Sequence, residues 1–131
     1  MSRSEQIQIG MEMDNGSLAG LPGDVAEEKY PRPEFRNPYE PFCGTGESDW
    51  DLYCRGARAV EKIIRHSAGN YLAVAHGSIL IAVMRTIVGA PPFANQQSIA
   101  FGFGDTGYAR LFYRPSEHLW YLPGVQRGLK T

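Results

Sequence analysis

His76-Gly77-Ser78 is the constellation in this sequence with the clearest capacity for chemistry. It lies between two apolar runs, Tyr71 to Ala75 and Ile79 to Val88. A short strand followed by a helix puts the tripeptide in a turn at the strand's carboxyl end, where open α/β sheets bind ligands. The first turn of such a helix offers an anion its N–H groups and the positive end of the helix dipole. A histidine beside the N–H groups of Gly77 and Ser78 can hydrogen-bond phosphoryl oxygens, and glycine lets the backbone come close. The plainer alternative is a structural histidine in a βα turn. His66, on a helix, and His118, in a late strand, read as surface residues.

Other patterns lose against their own requirements. Gly102-Phe103-Gly104-Asp105-Thr106-Gly107 fits G-x-G-x-x-G, but that fingerprint needs a helix next and Tyr108 to Tyr113 reads as a strand. Ser78 has no G-x-S-x-G elbow around it. Three scattered histidines make no metal site, and no cofactor is implied. Cys43 and Cys54 form no Cys-x-x-Cys pair and read as reduced thiols of a cytoplasmic protein.

The elements that must position His76 can be read from periodicity. Asn15-Gly16 and Gly20 mark turns in a poorly patterned start. Pro22 to Tyr30 suits a short helix, with Asp24, Glu27 and Glu28 near its beginning. Pro31, Pro33, Pro38 and Pro41 then break regular structure as far as Gly46. A loop of that kind is either functional or disordered. Ser48 with Asp51 reads as a capping box, opening an amphipathic helix expected to pack on a sheet. Trp50, Tyr53, Ala57, Val60 and Ile64 share one face of it. Asp51/Arg55 and Glu61/Arg65 are set for four-residue ion pairs on the other, and Gly69-Asn70 stops the helix. Tyr71 to Ala75 reads as a strand buried on both faces. The helix after His76 is apolar almost all round and ends at Gly89. Beyond residue 93, Ser98 to Phe103, Tyr108 to Tyr113 and Leu119 to Leu122 read as antiparallel strands. Helix, strand, turn and helix in succession imply an α/β layer structure.

Four features, in order, resemble the histidine phosphatase (phosphoglycerate-mutase-like) superfamily. Met11-Glu12-Met13-Asp14-Asn15-Gly16, running on to Leu18-Ala19-Gly20-Leu21, resembles its hydrophobic-Glu-x-x-x-Gly segment. Gly46-Glu47-Ser48 resembles the opening of its long helix, with Arg55 eight residues after the glutamate. Leu72 to Gly77 resembles the strand that delivers its second active-site histidine, and Asp105-Thr106-Gly107-Tyr108 with Trp120-Tyr121-Leu122 its closing strands. The resemblance covers roughly residues 11–122 of the chain. It implies an incomplete three-layer α/β/α sandwich, phosphoglycerate-mutase-like, with antiparallel strands near the C-terminus. It also implies a phosphohistidine mechanism on phosphate monoesters. His76 matches the second histidine, which holds phosphoryl oxygens, and Glu12 matches the proton donor to the leaving group. Glu47 and Arg55 are expected to pair structurally near the helix start. The loop 31–46 is the expected counterpart of the family's substrate-selecting insertions, lying over the site.

The departure from the family pattern is large. No Arg-His-Gly, the motif that carries the family's nucleophile, occurs anywhere in the sequence. The chain is therefore expected to be a single truncated domain, 1–131, inactive on its own. The missing part would hold a central strand, whose absence exposes backbone groups and apolar faces. Self-association as a homo-oligomer covering that gap is the expected answer. The alternatives are a non-catalytic, phosphate-binding or self-assembling remnant, and an unrelated small α/β domain.

Composition excludes some partners and permits others. With 43% hydrophobic and 21% charged residues the chain suits an ordinary globular domain. A net charge of −1 gives no footprint for nucleic acid. No apolar stretch reaches the roughly 18–20 residues that span a bilayer. Phosphate or a small phosphorylated substrate remains the expected ligand.

Overall fold

The computed structural model describes residues 4–8, 14, 16–31, 34–41, 43–92 and 99–123. The chain divides into two compact units, Met1–Phe101 and Gly102–Thr131.

In the first unit, β1 (Ser4–Gln8) pairs in parallel with β2 (Asn70–Val74), Ile7 lying opposite Ala73. Between them come a 3-10 turn at Gly16–Leu18, α1 (Gly23–Lys29) and α2 (Asp49–Ile64). After β2 the chain turns at His76 into α3 (Gly77–Val88), stopped by Gly89 at φ 72°, a left-handed conformation that suits glycine. The capping box at Ser48 is formed in full. The Asp51 N–H donates to Ser48 Oγ at 3.0 Å, and the Ser48 N–H donates to Asp51 Oδ2 at 3.1 Å.

The core of this unit is the contact of α2 with α3, where Leu52, Ile79 and Ala82 are buried together with Ala75 against them. Gly56 makes the contact close. A Cβ there would sit 2.8 Å from the Ala82 carbonyl carbon and 2.9 Å from its Cβ. This shifts the inward face of α2 from the expected one. Asp49, Leu52, Gly56, Ala59 and Val60 are buried, whereas Trp50 is 36% exposed. Trp50 stacks instead between Tyr39 and Tyr53, at 5.6 and 5.5 Å between ring centroids. Helix α2 was expected to pack on a sheet, and its main partner is another helix.

Strand β2 departs from expectation in the same sense. Its residues alternate, with Leu72 54% and Val74 50% exposed, where burial on both faces was expected. Among the described residues only β1 pairs with it, and the buried side chain of the pair, Ile7, lies on the face of Tyr71 and Ala73. The opposite face has no layer over it among the described residues of this unit.

In the second unit, β3 (Phe112–Arg114) and β4 (Leu119–Tyr121) form an antiparallel hairpin, with Tyr113 opposite Trp120. The longer strands expected upstream do not form over 99–111. Gly104 and Thr106 adopt positive φ there, which interrupts extended backbone. No helix follows Gly107 within the described residues, so the dinucleotide pattern lacks its required context. The parallel pair, the helices and this hairpin together make an incomplete α/β architecture.

Candidate functional site

The first two of the ordered motif segments meet at the start of α2. The Glu47 N–H donates to the Asp14 carbonyl at 2.8 Å, and the Asp14 N–H donates back to Glu47 Oε1 at 2.8 Å. One turn away, the Ser17 N–H donates to Thr45 Oγ1 at 2.8 Å. Gly16, at φ 57°, lies so close to Thr45 that a Cβ would fall 2.4 Å from its hydroxyl oxygen. A glycine is required at that contact on both counts. Arg55 completes the clamp, donating from Nε to Glu47 Oε2 at 3.0 Å and from Nη2 to Oε1 at 2.8 Å. This bidentate pair, with the Asp14 N–H, holds the Glu47 carboxyl below its ordinary value, against the upward push of partial burial. Glu47 and Arg55 are thus joined by two hydrogen bonds. Glu12 lies outside the described residues. It is two residues from Asp14, whose backbone the clamp holds.

The proline-rich loop is fastened to the same helix end. Arg36 donates to Asp49 from Nε at 2.9 Å and from Nη2 at 2.7 Å, and the Asp49 side chain is only 6% exposed. The Trp50 N–H donates to the Pro38 carbonyl at 2.8 Å, and Pro38 is buried. These contacts hold Arg36 and Pro38 of the loop to the start of α2. Cys43 and Cys54 are free thiols. The Thr45 hydroxyl beside Cys43 draws its pKa below the usual thiol value.

His76 is the N-cap of α3, in extended conformation and exposed, with Ala75 between it and the end of β2. Its carbonyl accepts the first helical hydrogen bond, from the Leu80 N–H at 3.0 Å. Its imidazole caps nothing and contacts no hydrogen-bonding partner among the described residues. Among the described residues, its chain neighbours and its own helix turn aside, no atom lies within 4 Å of the place a Gly77 side chain would take. The positive end of α3 therefore opens onto room for an anion. His66 and His118 are both exposed and engaged locally. His66 Nδ1 lies 2.8 Å from the Lys62 carbonyl, and His118 Nδ1 lies 2.6 Å from the Tyr113 hydroxyl. No group of three metal-ligating side chains occurs among the described residues. No helix among them is long and apolar enough to cross a membrane.

Two features of this region escaped the sequence reading. A shallow groove between α2 and α3 begins at Ser78, two residues from His76, and is lined by Asp49, Tyr53 and Arg85. The Arg36–Asp49 pair behind it left no periodic trace, since its partners sit in a loop and at a helix start. Arg85 did leave a trace, as the one charged residue of an otherwise apolar α3.

The family model of the histidine phosphatase superfamily (branch 1) matches residues 10–117. That span holds Glu12, Glu47, Arg55 and His76-Gly77-Ser78, and it stops short of Trp120-Tyr121-Leu122. No curated protein and no solved structure matches the chain significantly.

Proposed function

The chain belongs to the histidine phosphatase superfamily, and from that premise we propose that it serves a phosphohistidine site acting on phosphate monoesters. In this reading the nucleophilic histidine comes from residues outside this sequence. The observation that carries the reading is the placement of His76, exposed at the N-terminus of α3 and one residue beyond the end of β2. There its imidazole and the helix dipole can stabilise the equatorial oxygens of a transferring phosphoryl group, which is most of what phosphoryl transfer asks of a protein. The nucleophile's nitrogen forms the new bond to phosphorus while the ester oxygen leaves. Glu12 donates the proton that oxygen takes up, which requires a carboxyl still protonated near neutral pH.

The loop 31–46 is proposed as the substrate-selecting element. Its support is the Arg36–Asp49 fastening, which ties it to the groove that begins at Ser78. Whether such a site works as mutase or phosphatase depends on how well the phosphoenzyme is shielded from water. Self-association belongs to the same proposal. Parallel sheets are covered on both faces, and a second copy placed against Leu72 and Val74 covers the open one.

A binding-only role is the second reading, favoured by the imidazole of His76 having no partner to orient it among the described residues. Hydrolysis of an aryl phosphate by this chain, run beside His76→Ala, separates the cases. The expected result is phosphate binding that His76→Ala abolishes, with no turnover above the mutant until an Arg-His-Gly-bearing segment is supplied. Turnover by the chain alone, lost in the mutant, would show that a complete site already exists.

A further inference from the structure

Arg85 presents a problem of charge that the described residues do not solve. It is 9% exposed in the last turn of α3. Its side chain makes one long hydrogen bond, from Nη1 to the Ala90 carbonyl at 3.5 Å. None of the ion pairs among the described residues includes it. The chain has 14 acidic residues, and of these only Glu12 lies outside the described set. The neighbouring stretch 93–98, Phe-Ala-Asn-Gln-Gln-Ser, contributes none. A buried guanidinium is costly unless an anion and good hydrogen bonds accompany it, and one bond at 3.5 Å is a poor substitute.

Arg85 lines the α2–α3 groove together with Asp49, Tyr53 and Ser78. No ion pair joins Arg85 to Asp49, whose carboxylate is instead paired with Arg36. Arg85 and Asp49 are the charged residues that line the groove, and Asp49 already carries a bidentate partner in Arg36, which lies outside the lining. We propose that the groove between α2 and α3 is a binding site for a small oxyanion, a carboxylate or a phosphate, held by Arg85. Arg85 lies seven residues beyond Ser78, about 10 Å along the helix axis, so this site is separate from the end of α3 at His76. It stands whether or not the phosphohistidine reading does. The flat guanidinium is suited to bidentate capture of either anion.

The test uses the whole chain, titrated with sodium acetate and with inorganic phosphate at constant ionic strength, sodium chloride serving as the reference. Thermal midpoints are followed for wild type, Arg85→Gln and His76→Ala. The expected result is a rise in midpoint with at least one of the two anions that chloride does not match. Arg85→Gln should raise the half-saturating concentration at least tenfold, and His76→Ala should leave the Arg85-dependent rise in place. The tighter of the two anions identifies the source. Without anion, Arg85→Gln should be no less stable than wild type, whereas a mere helix-end contact to Ala90 predicts equal losses with and without anion. Because Arg85→Gln could fold poorly, the Arg85 Nε–H resonance of the wild-type protein, assigned with Arg85→Lys, is followed through the same titrations. A resonance that moves with acetate or phosphate supports the site. No movement, or a rise that chloride reproduces or that only His76→Ala removes, overturns it.

Discussion

The two long helices of the first unit begin in opposite ways. The start of α2 is closed by its own chain. Ser48 and Asp51 cap it reciprocally, Arg36 grips Asp49, and Glu47 with Arg55 ties in Asp14. The start of α3 is left open, with an N-cap side chain that bonds to nothing described and empty space over Gly77. Every helix must satisfy its first N–H groups somehow. Where the chain closes an end with several side chains, that end holds structure together. An end given a histidine in place of Ser, Thr, Asp or Asn keeps its positive pole for something else.

The comparison breaks most sharply at Asp49. Asp49→Ala leaves the Arg36 guanidinium part-buried with its carboxylate partner gone. Removing one member of such a pair costs about 3–5 kcal/mol when buried, and the 22% exposure of Arg36 places the loss near the lower end. Urea denaturation should show it, and a loss under about 1 kcal/mol would mean that the loop is not fastened there.

Glu47→Gln comes next, at about 2 kcal/mol at neutral pH for the loss of charge-assisted bonds to Arg55 and Asp14. Here the sign with pH can be worked out. Pairing with Arg55 depresses the folded-state pKa of Glu47 below its ordinary 4.5. A depressed carboxyl contributes stability that is fully present above the unfolded pKa and lost as pH falls through the folded one. The gap between wild type and Glu47→Gln should therefore hold from pH 7 down to about 4.5 and shrink below it. A gap that widens with acid would contradict the clamp.

Ser48→Ala should cost about 1 kcal/mol, as for other caps of this kind. Its capping partner was legible in the sequence because the box is a local pattern of two residue types at fixed spacing. His76 was legible for a similar reason, as a break between two apolar runs, and so was the α/β order. What stayed hidden was tertiary. Gly56 reads as a poor helix former until Ala82 is seen against it, and that contact turns the buried face of α2 away from Trp50. The two-sided apolar run of β2 predicted burial, but burial needs a second layer that no local pattern supplies, and Leu72 and Val74 lie open. Arg36 and Asp49 lie thirteen residues apart across two prolines, a distance over which periodicity carries no information.

The smallest effect is expected at His76, and it tests the open end directly. With no side-chain cap bond to lose, His76→Ala should change stability by less than about 0.5 kcal/mol. His76→Asp supplies the acceptor and the negative charge that a helix start favours, and should stabilise by about 0.5 kcal/mol. The same substitution sets a carboxylate where the phosphoryl oxygens are proposed to sit, so phosphate binding at this end should disappear. Stability and ligand binding would then move in opposite directions on a single side chain, read by urea denaturation and by phosphate titration. A loss of stability in both variants would instead mean that the imidazole supports the fold, and that the start of α3 is closed after all.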